Sequence, residues 1–158
     1  MTEETTDVFI EAAYFDPIRT AQTGRALKIN SDARYRFERG IDPTWTPLGL
    51  EAATRMILDY VGGEASEVVA AGAVPDVARA YPLDPARISR LVGMDIAPDR
   101  QREILAALGF RLEGDMAHVP PWRPDVQGPA DLVEEVARVA SLTRLEGQPM
   151  ARGEVGVP

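Results

Sequence analysis

The side chains best placed to do chemistry lie in Asp131-Leu132-Val133-Glu134-Glu135-Val136-Ala137-Arg138. In a helix, at about 100° per residue, Asp131, Glu134, Glu135 and Arg138 fall within one arc of roughly 100°. Leu132, Val133, Val136, Val139 and Ala140 take the other side. Asp125 comes just before this helix. Clustered carboxylates repel one another unless a cation joins them. Mg²⁺ takes oxygen ligands and keeps several waters, so a few direct or water-bridged carboxylates suffice to hold it. The same pattern also describes a solvated helix face, with Asp131 favoured at the positive end of the helix dipole and Glu134 and Glu135 offset by Arg138.

Other candidates are less specific. Arg34, Arg36 and Arg39 could touch a phosphate backbone, but Glu38 among them equally suits internal ion pairing. Trp122 could stack on a base, or act as a packing anchor between prolines. His118, the single histidine, falls in an expected hairpin and is read as structural. No Walker-type loop, nucleophile elbow or dinucleotide-binding fingerprint occurs.

Composition narrows the chemistry further. The 158 residues hold no Cys, which excludes disulfides, thiolate metal sites and cysteine nucleophiles. The 17 Lys+Arg against 25 Asp+Glu leave a net charge of −8, which argues against gripping nucleic acid by bulk charge. No apolar run approaches the roughly 20 residues of a membrane span. A soluble, cytoplasmic protein is expected, with metal chemistry limited to carboxylate oxygens.

The elements that position these residues read as two parts. In the first, about residues 1–62, the near-continuous apolar run Val8 to Phe15 suits a strand buried on both faces. No partner strand is evident nearby, and a lone strand cannot satisfy its backbone groups. The expectation is that the chain starts inside a domain whose other strands are missing. Asp16-Pro17, Asp42-Pro43 and Asp84-Pro85 each place an N-cap acceptor before a proline at the first helical position. Ser31 caps a short helix. The helix after Asp42, with Trp45, Leu48, Ala52, Met56 and Tyr60 at helical spacing, stops at Gly62-Gly63.

Residues 63–80 read as a connector with a short strand. In the second part, residues 81–145, helices start at Asp84-Pro85 and Pro98 and stop at Gly93 and Gly109. Phe110 to Leu112 and Met116 to Val119 form a hairpin about Glu113-Gly114-Asp115. Pro120 to Asp125 is extended, and a last helix runs from Pro129 to Leu142. The fold class is α+β, with a helix–helix–hairpin–helix order similar to a winged helix. Residues 146–158 read as a flexible tail.

Long words in this sequence resemble the β subunit of bacterial phenylalanyl–tRNA synthetases. They are Ile10 to Pro17 (IEAAYFDP), Tyr35 to Pro43 (YRFERGIDP), Leu105 to Phe110 (LAALGF), Pro120 to Asp125 (PPWRPD) and Asp131 to Arg138 (DLVEEVAR). The resemblance covers about residues 5–142. It implies the end of a B3/B4 editing domain followed by a winged-helix-like B5 domain, in a fragment of a larger subunit. It further implies that Asp125, Asp131, Glu134 and Glu135 ligate Mg²⁺ in a site shared with the catalytic α subunit. Glu11 matches the glutamate that recognises the hydroxyl of tyrosine wrongly attached to tRNA. Such correction is needed because a pocket for an apolar ring rejects an added hydroxyl poorly. The implied parent is a phenylalanine–tRNA ligase, an α2β2 heterotetramer acting on tRNA(Phe), with ATP bound by the α subunit and no membrane partner. The fragment alone is expected to be inactive. One departure follows Arg138: the family continues with an aromatic- and Gly-containing turn, and here the chain reads Val139 to Gly147 without aromatics.

Two other functions fit parts of the sequence. One is a stand-alone winged-helix nucleic-acid binder, disfavoured by 9 basic against 12 acidic residues from 81 to 158. The other is a protein-interface module whose acidic face meets a basic partner.

Overall fold

The computed structural model describes residues 2–145, 147 and 149. The chain divides into two compact units: residues 1–79 with 119–127, and residues 80–118 with 128 onward. By its contacts the Pro-rich segment before the last helix groups with the first unit.

The first unit is built from short capped helices. Helix α1 (Pro17–Ala26) starts where the Asp16 side chain accepts the Arg19 N–H at 2.7 Å. Helix α2 (Asp32–Phe37) starts where Ser31 accepts the Arg34 N–H at 3.2 Å. Asp42 caps a single 3₁₀ turn, Pro43–Trp45, that runs into helix α3 (Thr46–Val61). Gly62, at φ 74°, ends α3 in a conformation that costs glycine nothing. The rings of Phe15 and Phe37 meet edge to face, 5.2 Å apart, where α1 and α2 pack together.

The run from Val8 to Phe15 forms no strand or helix, in contrast to its apolar pattern. Phe9 is 92% exposed. A strand exists only as part of a ladder, and no described strand lies in this unit to pair with it. Residues 62–79 hold no regular element; the short strand expected there begins at Ala80.

The second unit begins with strand β1 (Ala80–Pro82), followed by helices α4 (Pro85–Val92) and α5 (Pro98–Ala107). Strands β2 (Arg111–Glu113) and β3 (Met116–His118) and helix α6 (Pro129–Ala140) complete it. The sheet order is β1-β3-β2, all antiparallel, with Tyr81 and Leu112 both opposite Ala117. The hairpin read from the sequence is therefore a three-stranded sheet. Its extra strand is only three residues long and ends in proline, which an edge strand tolerates and a sequence pattern hides.

Ile88 of α4, Ile104 and Leu105 of α5, and Leu132 and Val136 of α6 are buried together with Ala117 and Phe110. Gln101 is buried among them, its amide donating to the Ile96 carbonyl at 2.7 Å and the Pro85 carbonyl at 3.1 Å. That tie fixes the start of α4 to α5. Gly93 closes α4 in the left-handed region, φ 73°. Helix α6 stops at Ala140, two residues before its expected end, because Ser141 turns to φ 85° and a 3₁₀ turn, Leu142–Arg144, follows. The α+β class holds. The expected tail from residue 146 lies, apart from residues 147 and 149, outside the described residues.

Candidate functional site

Helix α6 needs no side-chain cap from its N-cap residue, Gly128. Instead Asp131 reaches back, its carboxylate accepting the Gly128 N–H at 2.9 Å. One proposed metal ligand thus also satisfies an orphan donor of its own helix. Three residues on, Glu134 is exposed. Glu135 is buried, 7% exposed, and pairs with the Arg138 guanidinium at 2.7 Å. The three carboxylates share an arc of the helix but not an environment, because Glu135 lies next to Leu132, one turn earlier, at the edge of the packed side.

Asp125 sits in the first unit, in the loop Pro120–Gln127. The Arg123 guanidinium grips its carboxylate twice, Nε to Oδ1 at 2.9 Å and Nη2 to Oδ2 at 2.6 Å. The Arg123 hydrogen bond, aided by the charges of Arg123 and Arg79, holds the Asp125 carboxyl below the usual carboxylate range. Its side chain remains 60% exposed. The loop is held from behind by Arg79, whose guanidinium donates to the carbonyls of Arg123, Pro124 and Val126. Neither arginine was singled out from sequence. Arg123, two residues from Asp125, carried a local signal; Arg79, more than forty residues away, carried none.

These donors are all oxygens, the chemistry Mg²⁺ takes. Among the described residues, no three or more Asp, Glu or His side chains come together as a metal-holding group. The carboxylates therefore fit the ion by type, without a closed coordination sphere among the described residues.

Of the other candidates, Arg34, Arg39 and His118 pair within the chain. Arg34 pairs with Glu38 at 3.0 Å and also donates to the Ile29 carbonyl. Arg39 donates to Glu38 at 3.3 Å and lies 3.6 Å over the Tyr35 ring. Arg36 is exposed. His118 meets Glu113 at 3.1 Å across the hairpin. Trp122 is 57% exposed and so is not a buried anchor. Glu11 is exposed in the irregular segment before α1.

In the second unit, Arg90 pairs with Asp84, Arg100 with Glu103, Arg111 with Glu113 and Arg138 with Glu135.

Comparison with known proteins gives a consistent picture. Residues 1–62 match the family model of the B3/4 domain, and residues 76–141 match that of the tRNA synthetase B5 domain. The chain is 69% identical over 157 residues to the phenylalanine–tRNA ligase beta subunit of Cereibacter sphaeroides, covering 99% of this chain and 20% of that protein. It is 68% identical over 157 residues to the same subunit of Ruegeria pomeroyi, with the same coverage of each. For Rhodospirillum rubrum the identity is 48% over 155 residues, 95% of this chain and 19% of the relative. The chain spans about a fifth of the length of the curated relatives it matches.

Proposed function

The chain belongs to the phenylalanine–tRNA ligase β-subunit family, and from that premise we propose that it serves as the B3/4–B5 segment of a ligase joining phenylalanine to its tRNA with ATP. The observation that carries this is the tandem of B3/4 and B5 matches inside one near-complete stretch of 69% identity. In this proposal the α subunit binds ATP and performs activation and transfer. The β segment supports that site and meets tRNA, within a cytoplasmic α2β2 assembly. No described helix is long and apolar enough to cross a membrane. On this reading the chain alone is inactive, because the α subunit supplies the catalytic centre.

Asp125, Asp131, Glu134 and Glu135 are the proposed Mg²⁺ ligands, with the α subunit completing the set. The ion would supply charge neutralisation at a carboxylate-rich junction. The chain's own residues would do the orienting. Asp131 is steadied by the Gly128 N–H, Glu135 by Arg138, and Asp125 by Arg123. Glu11 is proposed to accept the hydroxyl of misattached tyrosine, a charge-assisted bond that phenylalanine cannot form.

The test is a segment exchange. This chain replaces its counterpart in the full-length Cereibacter sphaeroides β subunit, assembled with that organism's α subunit. Phenylalanine charging within about threefold of the parent is expected. A folded, assembled exchange enzyme that fails to charge tRNA would overturn the proposal.

A further inference from the structure

We propose that Arg79 is the positioning residue of the Pro120–Gln127 loop, setting the backbone from which Asp125 presents its carboxylate. Its Nη1 donates to the carbonyls of Val126 at 2.9 Å and Pro124 at 3.2 Å. Its Nη2 donates to the Arg123 carbonyl at 3.0 Å, and its Nε to the Val77 carbonyl at 3.3 Å. The Arg79 carbonyl in turn accepts the Val119 N–H at 2.8 Å. One residue therefore ties down both ends of the loop.

Three carbonyls from four successive residues turn towards one point. Their dipoles repel unless a cation stands at the focus, and a half-buried guanidinium supplies both the charge and a planar fork of donors. The residue left out of this set is Asp125, whose side chain stays largely exposed. On another side the loop is confined by Gly40. At φ 90°, it lies so close that an added Cβ would stand 3.0 Å from the Pro124 Cβ. Arg123 grips the carboxylate itself, while Arg79 fixes the carbonyls around it. The two arginines divide the loop between side chain and backbone.

The role of Arg79 towards a divalent cation rests on the proposed assignment of Asp125 as a Mg²⁺ ligand; its role towards the loop does not. Two measurements separate them. In the chain as it stands, Arg79→Gln is expected to speed amide exchange at Arg123 and Val126 by tenfold or more, with α6 amides unchanged. Arg79→Lys, which keeps the charge without the fork, gives a smaller acceleration and guards against loss of folding in the first variant. Unchanged exchange at Arg123 and Val126 in both variants overturns the proposal.

In the full-length β subunit assembled with its α partner, the Mg²⁺ midpoint of thermal stabilisation is then followed for Arg79→Gln and Asp125→Asn. Both are expected to raise it, Arg79→Gln by about fivefold. A midpoint moved by Asp125→Asn but not by Arg79→Gln overturns the cation-directed role of Arg79. A midpoint moved by neither overturns the ligand assignment instead, with the exchange result deciding the loop.

Discussion

The two units use similar apolar patterns to opposite ends. In the second, Ile88, Ile104, Leu105, Leu132 and Val136 all lie at 2% exposure or less, and the three helices and the sheet close around them. In the first, α3 repeats apolar residues just as regularly, yet none of its residues is buried; Leu48, Met56 and Tyr60 stay exposed. Periodicity specifies which way side chains point on a helix. It does not supply the surface that covers them. The first unit is held instead by caps, the Phe15–Phe37 contact and arginine-centred ties to backbone carbonyls.

The largest expected effect lies in that contrast. Leu105→Ala should destabilise the second unit by about 2–5 kcal/mol, as a cavity opens where no solvent reaches. Leu48→Ala should change the first by less than about 0.5 kcal/mol. Amide exchange in denaturant reads the two units separately, and equal losses would break the comparison.

A second pair concerns glycines of positive φ. Gly93→Ala meets nothing within 4 Å, so it should cost only the backbone strain, about 1 kcal/mol. Gly40→Ala adds pressure on Pro124 to the same strain and should cost more. It should also shift the Arg123 to Val126 amide resonances, which Gly93→Ala leaves in place.

The smallest effects are electrostatic. Asp125 and Asp84 both titrate below the ordinary aspartate value, through hydrogen bonds from Arg123 and from Arg90 respectively. A carboxyl with a depressed folded pKa stabilises the fold above its ordinary value of about 3.9 and loses that contribution as pH falls through the depressed one. Carboxyl ¹³C titration should show both midpoints low, with Arg123→Gln raising Asp125 alone and Arg90→Gln raising Asp84 alone. Salt should weaken both shifts, since about half of each side chain's surface is in solvent.

Much of the fold was readable in the chain. Aspartates before prolines marked the starts of α1, α4 and the turn into α3, and glycines marked the ends of α3 and α4, because caps are local chemistry. The alternation of Phe110 to Val119 located the hairpin. The strand β1 was not readable as part of that sheet, since its partner lies more than thirty residues on. The candidate ligands on α6 were readable as one arc, but the burial of Glu135 was not. It depends on how deep the helix sits against α4 and α5, which helical angle alone does not state.

What the sequence determined by itself was local and modular: capped helices, an acidic stretch on the last of them, and words long enough to identify a B3/4–B5 tandem. Only the tertiary structure decided which regular patterns became core. It left Val8 to Phe15 without a ladder, placed Glu135 against Arg138 at a buried edge, and gathered three carbonyls around Arg79. Caps and periodicity act over a few residues. Ladders, burial and a guanidinium seeking acceptors are settled by segments that meet only once the chain has folded.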